Sequence, residues 1–482
     1  MRISTLGLAA FLALSSSLPA LAATTADDAA KLQASLQAYF GKGADALKIT
    51  PDGDGFKVVL DVTPMLAAAK QAGEEISLSP IEMNLTPEGN GKWKIKHDGP
   101  LKLSIKGKDQ MQVDEAFENF SMDGEFDEAL GYFSALDMQG KNITVSENMT
   151  DPAGATIKAD GKIESVSAKA TGVANAAGGV DAKVTETFGP GTMSENITSD
   201  KEPPFPMQFS MAGASLDATY TGLKTLAMLD LLKFMVAHPD KATIAKDQPA
   251  LKTALAALLP VWSNINAQAT INKLEAQTPM GRIAAEKVGI GLDLNGAVKD
   301  GKFGETVSAE GLTLPAELVP PWAAKLVPKN ASVGFSVSGY DAETPVKAAL
   351  DGADFSKEEP IAQELQDKLF AMLLPKGTVD VALTKTAVNN DVYELTAEGS
   401  FQAGPAALPT GKAHITAKGL DDLMQIMQAA PPEAGLQGGA AVIVVAKGLA
   451  KPDADGKLFW DVQATPDGKV LVNGVDAKNM AK

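Results

Sequence analysis

The chain has 482 residues, with 43 Lys+Arg against 60 Asp+Glu and no cysteine. A net charge of −17 argues against nucleic acid and anionic lipid headgroups as partners, because both require a positive field. The lack of thiols excludes disulfides, thiolate metal sites and a cysteine nucleophile. Hydrophobic residues at 45% with charged residues at 21% belong to a folded protein, and about two or three domains are expected at this length.

At the N-terminus, Arg2 is followed by an apolar run from Leu6 to Leu21, broken by Ser15, Ser16, Ser17 and Pro19, and by the small residues of Ala20-Leu21-Ala22. This pattern reads as a signal peptide over residues 1–22. No stop-transfer segment follows, so no transmembrane anchor is expected in the mature form. Export without cysteine suits a bacterial periplasm.

Chain order then predicts an amphipathic helix from Asp27 to Phe40, stopped by Gly41 and Gly43. A hairpin follows in "LKITPDGDGFKVVLDV", then a brief helix from Thr63 to Ala69. From Ile76 to about Ala218 the period is two, as in "KWKIKHDGPLKLSIKG", with Trp93, Ile95, Leu101, Leu103 and Ile105 on one side. Such alternation describes an antiparallel meander with one wet and one dry face. In "ATIKADGKIESVSAKATGV" the apolar phase shifts from Ile157, Ala159 and Ile163 to Val166, Ala168 and Ala170, which predicts a bulge or turn near Glu164 and Ser165. The near copies "SENMTD" at Ser146 and "SENITSD" at Ser194 hint at a duplicated hairpin, with Asn148 and Asn196 read as turn residues.

The composition changes at Tyr220, where "TYTGLKTLAMLDLLKFMVAHPDK" predicts a helix ended by His238-Pro239, and a second helix is expected around Gln248 to Leu259. Three joints share a form: Leu258, Leu326 and Leu373 each stand two residues before a proline, at Pro260, Pro328 and Pro375, and alternating strands begin near Ile265, Val333 and Val379. Proline ends a helix and extends the residue before it. The joints therefore suggest a repeated helix-to-strand unit, with the three leucines buried between helix and sheet. A helix at Leu420 to Gln428, the apolar segment "AAVIVVAKGLA" and a hairpin turning at Pro466-Asp467-Gly468 close the chain.

Catalytic signatures are missing. His97, His238 and His414 lie in separate elements without a nucleophile-elbow motif, and His238 at a helix C-terminus reads as a structural cation. Asp52 and Asp54, like Asp453 and Asp455, sit in hairpin turns and do not form the series of a calcium loop. No phosphate loop or zinc-binding helix motif is present, so no cofactor, metal or catalytic residue is assigned. Trp93, Trp262, Trp322 and Trp460 read first as core anchors. An apolar pocket between sheet and helices would be lined by Trp262, Trp322, Leu326 and Phe335.

The segments "PPWAAKLVPKNASVGFSVSGYD" and "VQATPDGKVLVNGVD" resemble an uncharacterised family of periplasmic proteins of Gram-negative alphaproteobacteria. That resemblance implies location and a β-rich architecture and no activity. Long periplasmic sheets are also similar to groove-forming proteins that handle envelope lipids, an analogy at the level of fold. The expected fold is α+β: extended, mostly antiparallel sheets backed by amphipathic helices, in domains over residues 23–218 and 219–482. The expected function is non-enzymatic binding of a lipid or other apolar ligand in a sheet–helix groove. The alternatives are a ligand-free interaction or structural scaffold in the cell envelope, and a hydrolase with an unrecognised site, for which loss of turnover in His414→Ala would be the sign.

Overall fold

The computed structural model describes residues 24–40, 46–63, 75–107, 111–150, 154–199, 203–405 and 407–477. The expected signal peptide and the brief helix after Thr63 lie outside the described residues. Two compact units form: one comprises the described residues up to Ile265 with Lys347–Gln366, the other Asn266–Val346 with the described residues from Asp367 onward. The composition change at Tyr220 precedes the end of the first stretch by three helices.

In the first unit, helix α1 (Ala26–Gln37) starts at a capping box, where Thr25 Oγ1 accepts from Asp28 N–H and Asp28 accepts in return from Thr25 N–H. Its buried residues Ala29, Leu32 and Leu36 form one stripe. Strands β1 (Leu47–Asp52) and β2 (Gly55–Leu60) make the expected hairpin. They are followed by β3 (Glu75–Leu78), β4 (Ile81–Gly89), β5 (Lys92–Lys106), β6 (Gln112–Asp127), β7 (Tyr132–Thr150) and β8 (Thr156–Ala174). Next come β9 (Val180–Phe188), β10 (Gly191–Thr198), β11 (Phe205–Met211) and β12 (Gly213–Leu223). Pairing runs β1–β2–β4–β5–β6–β7–β8, all antiparallel, with β3 also on β5.

Beyond β8, the pairs β9–β12 and β10–β11 continue one another. β9 pairs with the second half of β8 and β10 with its first half, in one unbroken register interrupted only at Gly189-Pro190 opposite Glu164-Ser165. The same register holds across β9–β12 and β10–β11. The phase shift predicted near Glu164 and Ser165 is therefore real, and it extends sideways. Glu118 of β6, Asn142 of β7, Glu164 of β8 and Pro190 fall opposite one another along this line, and the β5–β6 register steps between Gly99 and Leu101 at its margin. Asn142 adopts φ 52°, in the left-handed region that asparagine tolerates better than most residues. On one side of this crease the even-numbered residues of β6 to β8 face inward, and on the other side the odd-numbered ones do. The apolar side of the sheet thereby stays continuous.

One end of that side is a closed core. Trp93, Phe56, Phe126, Phe133 and Tyr132 are each at most 1% exposed, and Trp93 Nε1 donates to Glu128 at 2.9 Å. Helix α2 (Thr225–Ala237) is fixed by a hydrogen bond from Thr225 Oγ1 to Leu130 O and packs Leu229 against Tyr39. Helices α3 (Lys241–Lys246) and α4 (Gln248–Leu258) follow.

The other elements are β13 (Asn264–Thr278), β14 (Gly281–Asn295), β15 (Gly301–Glu310), β16 (Asn330–Tyr340), α5 (Glu343–Gly352), α6 (Gln363–Leu373), β17 (Val379–Asn389), β18 (Glu394–Gly404) and β19 (Ala407–Lys418). They continue with α7 (Leu420–Ala429), a short 3-10 turn, α8 (Gln437–Leu449), β20 (Lys451–Pro452), β21 (Leu458–Ala464), β22 (Val470–Val472) and β23 (Val475–Asp476). In the second unit an antiparallel ladder runs β14–β15–β16–β17–β18–β19–β21–β22–β23. Helices α7 and α8 close one end of it around Ala417, Leu420 and Trp460.

Several expectations need correction. Helices precede Pro260 and Pro375, but the segment before Pro328 is a series of turns. Leu258, Leu326 and Leu373 are half-buried and none belongs to the buried core. Asn148 and Asn196 are strand residues, both opposite Lys158 of β8, because their side chains occupy the wet face where polar residues are at home. The segment "AAVIVVAKGLA", for which the sequence predicted only apolar character, lies mostly within helix α8.

These burials set a stability ranking. Trp93→Ala should cost about 3–5 kcal/mol, and Leu326→Ala only about 1–2 kcal/mol, each read from the urea midpoint of the transition it shifts. Equal losses would contradict this ranking.

Candidate functional site: an apolar sheet face bearing carboxylates

Below the crease in the first unit, the ladder registers align three apolar rows. One runs Leu101, Phe117, Ile143, Ile163, Gly191 and Met211; the next runs Leu103, Glu115, Val145, Gly161, Met193 and Phe209. The third runs Ile105, Val113, Glu147, Ala159, Glu195 and Met207. Leu101, Ile143, Ala159 and Gly191 are buried, while most of the rest are half-buried. An apolar surface several strands wide thus continues from the closed core and remains partly open.

Three glutamates interrupt it. Burial pushes the Glu115 carboxyl above its ordinary value. The near copies explain the other two: Ser146-Glu147-Asn148 and Ser194-Glu195-Asn196 lie in register on either side of Asp160-Ala159-Lys158 in β8. Glu147 and Glu195 therefore flank Ala159 on the apolar face, two strand spacings or about 10 Å apart. The repeated tripeptide was visible in the sequence, but the strand between its copies was not. Among the described residues none of the three glutamates has an ion-pair or hydrogen-bond partner.

At the head of this face stands His97, 7% exposed. Its Nδ1 lies 2.6 Å from Glu82 O, and its ring is 5.4 Å from that of Phe120. Its Nε2 is buried without a hydrogen-bond partner.

The second unit has a comparable face. Ile290, Val307 and Val333 share one row, and Leu292, Glu305, Phe335 and Leu383 share the next. Here Ile290, Val307, Val333 and Phe335 are 38–50% exposed. Of the expected pocket residues, Phe335 lies on this face, its ring 5.8 Å from Phe303. Trp322 and Leu326 are half-buried in the turns before β16, where Leu326 O accepts from Tyr393 Oη at 2.8 Å. Trp262 belongs to the first unit and its Nε1 is buried without a partner. The four residues are thus divided between the two units.

The polar faces contain clefts but no reactive constellation. One cleft of about 1200 Å³ in the first unit is lined by Lys57, Lys96, Lys169 and carboxylates. Those lysines are held by Glu82 at 2.8 Å, Asp123 at 3.3 Å and Asp137 at 3.3 Å. A cleft of about 800 Å³ in the second unit contains His414, whose Nδ1 is 2.8 Å from Asp461 Oδ1. Glu398 is opposite His414 on the other strand, and among the described residues no hydroxyl is hydrogen-bonded to the ring. Asp453 accepts from the N–H groups of Asp455 and Lys457 and so organises its own turn. Among the described residues no group of three or more His, Asp or Glu could hold a metal ion.

The fold and this face define a mostly antiparallel α+β protein with partly open apolar sheet surfaces. Among the described residues, no helix is long and apolar enough to cross a membrane. No protein family, curated protein or solved structure matches the chain.

His238 stands at the C-cap of α2, where Nε2 meets Asp247 at 2.7 Å and Nδ1 meets Phe234 O at 2.8 Å. The hydrogen bond to Asp247, then that to the Phe234 carbonyl, raises its pKa above the ordinary value of 6.5. A raised folded-state pKa means stabilisation that is complete below the unfolded value and lost as pH rises through the folded one. In an NMR titration, Asp247→Asn should bring the His238 midpoint down toward 6.5. An unchanged midpoint would contradict this assignment.

Proposed function

We propose that this is a non-enzymatic envelope protein, exported to the periplasm, that holds an apolar-chain ligand on the crease-bounded face of its first unit. The observation that carries the reading is the set of half-buried apolar rows that continue from a closed core, broken by Glu115, Glu147 and Glu195 alone. A fully packed core would bury those positions, and an ordinary wet sheet face would make them polar. The ordered ion pairs on the opposite face support it too, since the charged side chains there are engaged with one another. The scaffold reading is favoured for the second unit, where Ile290, Val307 and Val333 are open enough to meet the apolar surface of another envelope protein. The exposed His414–Asp461 pair, without a nucleophile beside it, gives the hydrolase reading no comparable support.

A neutral environment-sensitive dye, N-phenylnaphthylamine, tests the reading. Uptake should be saturable, and Val145→Asp should weaken it about tenfold or more, because a carboxylate on the binding face must be desolvated by the ligand. Val307→Asp in the second unit should leave uptake unchanged. Absence of saturable uptake, or indifference to Val145→Asp, would refute the proposal. Turnover of an ester panel that disappears in His414→Ala would replace it with the hydrolase reading.

A further inference from the structure

The polar cleft of the second unit differs in charge from the rest of the molecule. In a chain of net charge −17, the large cleft of the first unit follows the overall balance, with four lysines and seven carboxylates in its lining. The cleft of about 800 Å³ in the second unit reverses it, with Lys385, Lys412 and Lys451 against Glu398 and Asp461. Other lysines of this unit find carboxylates: Lys447 pairs with Asp421, Lys457 with Glu394 and Lys469 with Asp467. Among the described residues the three ammonium groups of the cleft have no such partner, although Glu398 shares the lining with them.

Lys385 comes to the cleft through a departure from regular strand geometry. The β17–β18 register shifts between Leu383 and Thr386, and within this bulge Lys385 adopts φ 48°. The left-handed region is uncommon for a residue with a long side chain, and bulges beside functional sites re-aim the side chains they carry. Ser332 Oγ of β16 holds the bulge by donating to Lys385 O at 2.6 Å.

Acceptors stand between the cations. Glu398 on β18 and His414 on β19 are opposite each other, in strands that lie between those of Lys385 and Lys451. The His414 side chain is 43% exposed, and Asp461 Oδ1 accepts from its Nδ1–H at 2.8 Å, which leaves Nε2 as the acceptor of the neutral ring. A simple anion would use the lysines alone and would meet Glu398 as a repulsive charge. A ligand with hydroxyl groups beside its anionic group suits both sets, its hydroxyls donating to Glu398 and His414 while the lysines hold the anion. We propose that this cleft binds a small hydroxylated anion of the class of sugar acids and sugar phosphates. The proposal does not rest on the reading of the apolar face in the first unit. A carboxylate and a phosphate share the required chemistry, and experiment separates them.

The test is isothermal titration calorimetry of the full chain with glucose 6-phosphate, glucuronate, glucose and inorganic phosphate. Glucose 6-phosphate or glucuronate should bind about tenfold or more tightly than both glucose and inorganic phosphate, because only these compounds engage the lysines and the acceptors together. Preference for the first assigns a phosphate, and preference for the second a carboxylate. Lys385→Gln and Lys412→Gln, both at exposed positions, should each weaken the preferred ligand about fivefold or more. His414→Phe should narrow its advantage over inorganic phosphate at least about threefold. Lys96→Gln, in the cleft of the first unit, should leave it unchanged. Equal affinities for the four compounds, no measurable binding of either anionic sugar, or a preference that survives in both Lys385→Gln and Lys412→Gln would overturn the site.

Discussion

The first unit depends on a single geometric constraint: strands that cross the crease must change phase on the same line. Strands of 15 to 19 residues such as β5, β7 and β8 would extend about 50–60 Å, over which sheet twist accumulates heavily. The crease relieves this by letting β6, β7, β8 and the β9–β10 line turn over together at Glu118, Asn142, Glu164 and Pro190. A strand that failed to turn over would place its polar set on the apolar side. Sequence and backbone agree instead: each strand's apolar residues switch between even and odd numbers where its backbone does. Gly140, beside the crease, shows how tight the fit is, since a Cβ there would lie 2.8 Å from both Phe117 and Val166.

Because the apolar side survives the crease, it can be put to two uses. Its upper part is closed by Trp93, Phe126 and Phe133 together with Leu32 and Leu36 of α1, and this part supplies the burial that stabilises the unit. Its lower part has half-buried residues and isolated glutamates, a composition that contributes less burial to stability than the closed end does. The second unit follows a similar division in its own terms, with α7 and α8 closing the end near Trp460 while the rows through Val333 and Phe335 remain open.

Much of this fold is legible in the sequence, because alternation is a local signal. The hairpin at Asp52 to Gly55, the meander from Ile76 to Ala218, helices α2, α4 and α7 and the phase shift at Glu164 can each be read from a few adjacent residues. What could not be read is lateral. Nothing in "GKNITV" announces that Asn142 stands opposite Glu164, and the copies of Ser-Glu-Asn suggest duplication without revealing that they embrace one strand. Helix α8 was hidden by its run of valines, which favour strands in isolation and are overruled here by packing of Ile443 and Ala446 against the cluster of Ala417, Leu420 and Trp460. At the candidate site, His97 looked like one histidine of three. That its Nε2 is buried and unpaired shows only in the three-dimensional arrangement.

The most direct measurement of the central claim is native mass spectrometry of the protein isolated without detergent from the organism that makes it. The account predicts a population heavier than the polypeptide, its added mass released by organic extraction as a chain-bearing molecule and reduced in Val145→Asp protein prepared in the same way. A single peak at the polypeptide mass, under conditions that preserve other non-covalent complexes, would contradict it.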